Sequence, residues 1–187
     1  MHKFSLLIFL IVLSGAPKAQ EVLKVGETFS NLALKSTNDQ IYDLNAQTKA
    51  KGFILIFMTP SCDHCRAYES RIMSLDKQYK TKGYPVVAIG PYGDNEKDYP
   101  YDAMPEMKKM ALKNGFTFPY VADEKFKYTW LFGIRQTPKA VVLKKLPNGY
   151  QVMYIGNIDD QPTENVEPKQ KYVEEMVNKL LSSTVHK

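Results

Sequence analysis

The chain has 187 residues, enough for one domain with a full hydrophobic core. Its formal charge of +5 is spread over 25 basic and 20 acidic residues with no clustered basic stripe, so the lysines read as a solvated surface and not as a nucleic-acid footprint. His2 and His186 lie near the chain ends, which leaves two cysteines and His64 inside the domain, too few for a closed zinc site without carboxylates.

The first stretch, "MHKFSLLIFLIVLSGAPKAQ", opens with His2 and Lys3, runs apolar from Phe4 to Leu13 and turns to small residues, with Ala16 and Ala19 as candidate cleavage points. This is the layout of a secretory signal peptide over residues 1–19, and the apolar run is short for a bilayer span. Export is therefore expected: to the periplasm if the source is a Gram-negative bacterium, otherwise to the outside. Loss of the leader removes Lys3 and Lys18 and lowers the charge from +5 to +3. It also implies an oxidising compartment, in which disulfides persist.

Residues 20–187 read as one domain. Apolar runs on either side of Asn38-Asp39 predict a β-hairpin over roughly Leu32–Ser36 and Gln40–Leu44. "FILIFM", Phe53 to Met58, is a continuous apolar run, as in a strand buried on both faces. Pro60 and Ser61 break it. A helix is expected from about Cys62 to Lys80, with Ala67, Ile72, Leu75 and Tyr79 as its apolar stripe and Gly83 beyond its end. "PVVAIGPY" is a second buried strand, followed by a polar loop. Pro105 then starts a helix that Gly115 ends. "FTFPYVAD" is a short strand, and "EKFKYTWLFGI" a helix up to Gly133. "KAVVLKKLPNGYQVMYIGNI" is a hairpin turning at Asn148-Gly149. "QKYVEEMVNKLLSS" closes the chain as an amphipathic helix with Val173, Met176, Val177 and Leu180 on one face. Strand–helix–strand units with a late hairpin predict an α/β fold with a parallel core and an antiparallel edge.

The chemistry centres on "TPSCDHCRAYES", which holds both cysteines, just past the carboxyl end of the first central strand. Three residues apart on a helix, Cys62 and Cys65 are close enough to bond, yet the loop so closed is too short to stabilise the fold by much. A redox couple fits better. At a helix N-terminus, unpaired N–H groups and the dipole favour thiolate, which makes Cys62 the nucleophile. Cys65, one turn in, is placed to attack the mixed disulfide. His64, if protonated, supports the thiolate; otherwise it is a solvent-facing side chain. Asp63 acts in the opposite sense. Glu69, on the same helical face as both cysteines, reads either as an exposed helix acid or as an acceptor for the Cys65 proton. Met104, Met107 and Met110 in "MPEMKKM" suit Cu(I) together with Cys, or else form the buried stripe of a helix. Trp130 and the tyrosines read as core and surface packing. No Gly-rich phosphate loop or Ser-His-Asp arrangement is visible, and no cofactor is expected.

CxxC after a buried strand, with "TPKAVVL" much later before a hairpin, resembles the thioredoxin-like redoxins, and more narrowly the exported AhpC/TSA-like and TlpA-like thiol–disulfide proteins. "KVGETFSNLALKSTNDQIYDL", "GFILIFMTPSCDHC", "NGFTFPYVAD", "FGIRQTPKAVVL" and "YIGNIDD" carry the resemblance over nearly all of the chain after the leader. It implies a thioredoxin-like three-layer fold, a central mixed sheet flanked by helices with an N-terminal hairpin. It also implies a cis Thr137–Pro138 peptide facing the CxxC and offering strand-like hydrogen bonds to an extended substrate. Partners would be protein thiols or disulfides and a membrane or soluble thiol reductant. The sequence departs from the pattern in three places. Ser61 replaces the tryptophan common before the first cysteine. "FILIFM" lacks the buried acid of thioredoxins. The peroxiredoxin pattern P-x-x-x-T-x-x-C is half met, with Thr59 in place but Leu55 at the proline position. A thiol peroxidase, with Arg135 to orient peroxide, and a copper-binding relative stand as alternatives.

Overall fold

The computed structural model describes residues 22–183. The leader, its cleavage points and His186 lie outside the described residues. Six strands form one sheet in the order β1–β8–β7–β4–β5–β6, made of β1 (Thr28–Phe29), β4 (Gly52–Phe57), β5 (Val86–Gly90), β6 (Tyr120–Ala122), β7 (Lys139–Leu146) and β8 (Gly149–Gly156). β4, β5 and β6 run parallel; β7, β8 and β1 continue the sheet antiparallel. β2 (Ala33–Lys35) and β3 (Ile41–Asp43) pair as a separate hairpin. The hairpin is tied to the β6 edge by a bridge from Ser36 to Val121 and by Thr37 N–H donating to the Tyr120 carbonyl at 2.9 Å. That cover leaves less free edge for another chain to pair with.

The central strand explains the layers. Every residue of β4 is buried, and alternation sends its side chains to two cores. Ile54, Ile56 and Met58 join helices α1 (Asp63–Tyr79), α2 (Met104–Asn114) and α4 (Tyr172–Ser182) on one face. Phe53, Leu55 and Phe57 join the hairpin residues Leu32, Leu34 and Leu44, and Tyr128 and Phe132, on the other. The three-layer α/β expectation therefore holds. β1, which pairs Thr28 with Gln151, is too short to leave a sequence pattern.

Three local expectations need correction. The buried stripe of α1 runs through Cys65, Tyr68, Ile72, Leu75 and Tyr79, a regular three–four spacing that passes beside the half-buried Ala67. The late hairpin turns one residue earlier than expected: Leu146 pairs with Gly149, so Pro147-Asn148 form the loop. The positive φ falls on Gly149 (+117°), because Pro147 is locked near −65° and cannot enter the turn type that Asn-Gly favours. The helix expected over "EKFKYTWLFGI" is broken. A 3₁₀ turn, Glu124–Phe126, precedes a short α3 (Lys127–Leu131), with Lys125 and Phe126 at φ of 52° and 57°. The cause is tertiary. The buried Asp123 carboxylate accepts from Tyr128 N–H and Thr129 N–H, and Lys125 N–H donates to Asp94 at 2.9 Å, so the helix restarts only at Lys127. Gly133 ends it in the left-handed region, as Gly115 ends α2.

Candidate active site

The cysteines sit where β4 gives way to α1. Thr59, Pro60 and Ser61 carry the chain over the sheet edge, and Cys62 caps α1 with extended backbone. Cys62 N–H donates to the Thr59 carbonyl at 3.3 Å, and Cys65 N–H donates to Cys62 Sγ at 3.1 Å. The two cysteines are joined as a disulfide, with their Cα atoms 5.2 Å apart. Their environments differ: Cys62 is half-buried, whereas Cys65 is 0% exposed and belongs to the α1 core stripe. A helix N-terminus with an N–H aimed at the first sulfur is a setting that holds charge on that sulfur.

The sheet brings a distant segment to the same place. The Thr137–Pro138 bond is cis, and the Thr137 carbonyl oxygen lies 3.6 Å from Cys62 Sγ. Antiparallel pairing of β4 with β7, Phe57 opposite Lys139, fixes that approach. Cys62, Cys65, Thr59, Thr137 and Pro138 thus converge at one end of the sheet, although 75 residues separate Cys62 from Thr137. Thr59 is buried beneath the loop. His64 is exposed in the first turn of α1. Asp63 forms an ion pair with Arg66, which offsets the carboxylate near Cys62.

Glu69 is half-buried between α1 and α2, where Asn114 Nδ2 donates to it at 2.6 Å. Burial raises its carboxyl above the usual range, against the opposing pull of Arg66 and Lys113. It is therefore not a freely solvated helix acid. Beneath the loop, Tyr120 donates from its hydroxyl to the Met58 carbonyl at 2.9 Å. Burial, with the charges of Asp102 and Glu69 added, pushes that phenol far up, so it stays a neutral donor.

Sequence patterning missed Asp102. It accepts from Ser61 N–H at 2.8 Å and from Ser61 Oγ–H at 2.9 Å, so the loop after β5 is anchored to the residue preceding Cys62. Only the fold spans those 41 residues. It also missed an aromatic cluster of Tyr92, Tyr99, Phe126 and Trp130, which the aromatics of "PYGDNEKDYPY" hint at in an otherwise polar loop. Trp130 is 46% exposed and packs at the surface, against Phe126 and the Arg135 guanidinium. Of the three methionines weighed for copper, Met107 and Met110 are buried in the α1/α2 core with Met104 packed against it, which accounts for their spacing.

The sequence matches the model of the AhpC/TSA family over residues 25–156. No curated protein matches it significantly. Among solved structures, an uncharacterized conserved protein from Geobacillus kaustophilus has a TM-score of 0.74 at 22% identity, over 86% of this chain and 83% of that one. The thioredoxin domain of a thiol-disulfide oxidoreductase from Bacteroides vulgatus has 0.59 at 15% identity, over 85% and 99%. A PrxQ mutant from Xylella fastidiosa has 0.62 at 16% identity, over 88% and 99%. At these identities the likeness speaks to the fold alone.

Proposed function

The chain belongs to the AhpC/TSA family of thioredoxin-like redox proteins, and from that premise we propose that it is an exported thiol–disulfide oxidoreductase acting on protein disulfides through Cys62 and Cys65. The observation that carries this reading is the asymmetry of the couple: Cys62 caps α1 and is reachable from solvent, while Cys65 is fully buried one turn behind it.

In the reducing direction the Cys62 thiolate attacks one sulfur of a substrate disulfide. That S–S bond breaks, and the first substrate thiolate leaves and is protonated by solvent. The Cys65 thiol gives up its proton and attacks Cys62 Sγ. The second substrate thiolate leaves, and the Cys62–Cys65 disulfide remains. Two electrons have passed to the substrate, and a membrane or soluble thiol reductant must return them; the opposite direction runs through the same steps. The Cys65 N–H and the end of α1 stabilise thiolate on Cys62. Glu69, its pKa raised by burial, is the acceptor for the Cys65 proton. The Thr137–Pro138 segment, beside Cys62 Sγ, offers backbone hydrogen bonds to an extended substrate.

Thr59 before Cys62 favours a second reading, thiol peroxidase. Two positions argue against it: Leu55 is a fully buried strand residue where that pattern has proline, and the Arg135 guanidinium lies over the Trp130 ring. One experiment separates the two. Cys65→Ser is expected to trap mixed disulfides with peptide substrates and Cys62→Ser to trap none. The reduced wild-type protein is expected to reduce a peptide disulfide readily and to react with hydrogen peroxide hardly faster than a free thiol of low pKa. Faster alkylation of Cys65 than of Cys62 would reverse the assigned roles. Peroxide oxidation orders of magnitude faster than disulfide exchange would replace the reading with the peroxidase.

A further inference from the structure

Beside the couple lies a groove of about 420 Å³ that ends at Thr137, the residue whose carbonyl meets Cys62 Sγ. The loop after β5 supplies Tyr92 and Tyr99, stacked with centroids 4.1 Å apart. The segment after β6 supplies Phe126, edge-on to both rings at 5.4 and 6.3 Å, and Trp130, 6.3 Å from Phe126. Tyr99 and Trp130 are 39% and 46% exposed, so a continuous aromatic surface that could have been packed inside faces water.

Two observations mark this groove as shaped for a ligand. First, Phe126 holds positive φ, as does Lys125, a conformation rarely adopted by a bulky side chain and found where the surroundings enforce it. The enforcing groups are identifiable. Asp94 holds Lys125 N–H, and Asp123 holds the start of α3, so Phe126 is aimed by tertiary hydrogen bonds and not by its own preference. Second, Arg135 is the one ionised side chain among the residues lining the groove. Its guanidinium stacks over the Trp130 ring at 4.8 Å, and among the described residues no carboxylate lies within ion-pair distance of it. Stacking occupies the face of the guanidinium and leaves its N–H edge free for a planar anionic acceptor.

We infer that the groove is a specificity pocket for a disulfide-bearing polypeptide that carries an aromatic side chain two residues from its reacting cysteine and a carboxylate two residues beyond that aromatic. The inference rests on the exchange reading and adds the substrate class to it. An extended substrate along Thr137 advances about 3.3 Å per residue and turns alternate side chains the same way. With its cysteine sulfur on Cys62, the side chain two positions away, about 7 Å along, points to the same wall as the groove. An aromatic ring there joins the existing rings in edge-on or offset contact. The carboxylate two residues further, which alternation turns to the same side, meets the free edge of Arg135.

The test uses peptides whose single cysteine is linked to the chromogenic thiol 2-nitro-5-thiobenzoate, so that attack by Cys62 on the peptide sulfur releases colour. Four peptides pair Phe or Ser, two positions from the cysteine, with Glu or Gln two positions beyond it. The reduced full chain is expected to favour Phe-Glu over Ser-Gln by about tenfold in kcat/KM, equivalent to ~1.4 kcal/mol. Trp130→Ala should bring the Phe-to-Ser ratio to about one, and Arg135→Gln should do so for the Glu-to-Gln ratio. Ratios within one variant are independent of how much of it is folded. A Phe-Glu peptide with Ser in place of Cys should also change Trp130 fluorescence saturably. Equal rates for all four peptides with wild type overturn the pocket and leave the exchange reading standing, as do ratios that survive both substitutions or a fluorescence signal that stays flat. Failure to react with any of the peptides, or with the small disulfide 5,5′-dithiobis(2-nitrobenzoate), overturns the exchange reading and this inference together.

Discussion

Replacing Asp123 with alanine probes how one wall of the groove is held. Its side chain is 0% exposed and accepts three hydrogen bonds, from Tyr128 N–H at 3.0 Å, Thr129 N–H at 2.7 Å and Thr129 Oγ–H at 2.7 Å. Each buried donor left without a partner costs about 1–3 kcal/mol, which puts the upper figure well beyond what point substitutions usually reach. Desolvation offsets part of the wild-type gain, because burial holds the Asp123 carboxyl above the usual carboxylate range despite those bonds. The expected loss is therefore at the low end, about 3 kcal/mol. With a urea m-value of about 1–3 kcal/mol/M, the midpoint of a far-ultraviolet circular dichroism melt should fall by roughly 1–3 M at unchanged slope. The charge gives a second signature. Because the folded-state pKa lies above the unfolded one, the native state keeps a proton that the unfolded chain has already released. The group's contribution to stability therefore falls as pH rises from the ordinary carboxylate value through the raised one. Asp123→Asn should remove that slope. A loss for Asp123→Ala below about 1 kcal/mol would mean that water replaces the carboxylate and that Asp123 does not hold the start of α3.

Three further outcomes are expected. In single-turnover measurements of the resolving step, the rate should fall as pH drops through the raised pKa of Glu69, and Glu69→Gln should abolish that limb and slow the step by about tenfold or more; an unchanged profile removes Glu69 from the mechanism. Asp102→Asn takes a negative charge from beside Ser61 and should speed alkylation of reduced Cys62 by about three- to tenfold at a pH below the thiol's pKa; slower alkylation would show that Asp102 acts by holding the loop and not by its charge. Arg71→Ala leaves Asp159, 4% exposed and paired with it at 2.8 Å, buried without its cation, so about 3–5 kcal/mol should be lost in a urea melt. A loss near zero there would mean that the segment from Asp159 to Thr163, which Arg71 also holds through the Gln161 and Thr163 carbonyls, relaxes to admit water.

Where a residue's role follows from its near neighbours, the chain could be read directly. "FILIFM" is apolar at every position because both faces of β4 are covered, so it announces a central strand. Helix α4 shows its face because Val173, Val177 and Leu180 recur at helical spacing. Cys62 and Cys65 are legible for the same reason: three residues on a helix are one turn, and the break at Pro60-Ser61 places the first at the helix end. Proximity in sequence and proximity in space coincide for these residues, and local periodicity is sufficient.

The rest depended on segments that meet only when the sheet closes. Thr137 reaches Cys62 because β7 runs antiparallel beside β4, and a resemblance, not a period, was what pointed to it. Asp102 meets Ser61 across 41 residues, and no local pattern distinguishes it from the other acids of its loop. Phe126 sits in a stretch whose own preference is helical; hydrogen bonds to Asp94 and Asp123 override that preference and turn its ring towards Tyr92 and Tyr99. Backbone propensity is worth a few tenths of a kcal/mol per residue, whereas a buried carboxylate with two N–H donors is worth several times more. The sequence alone therefore determined the central strand, the long helices and the CxxC pair, and tertiary contacts decided what surrounds that pair, because there long-range hydrogen bonds outweigh local preference.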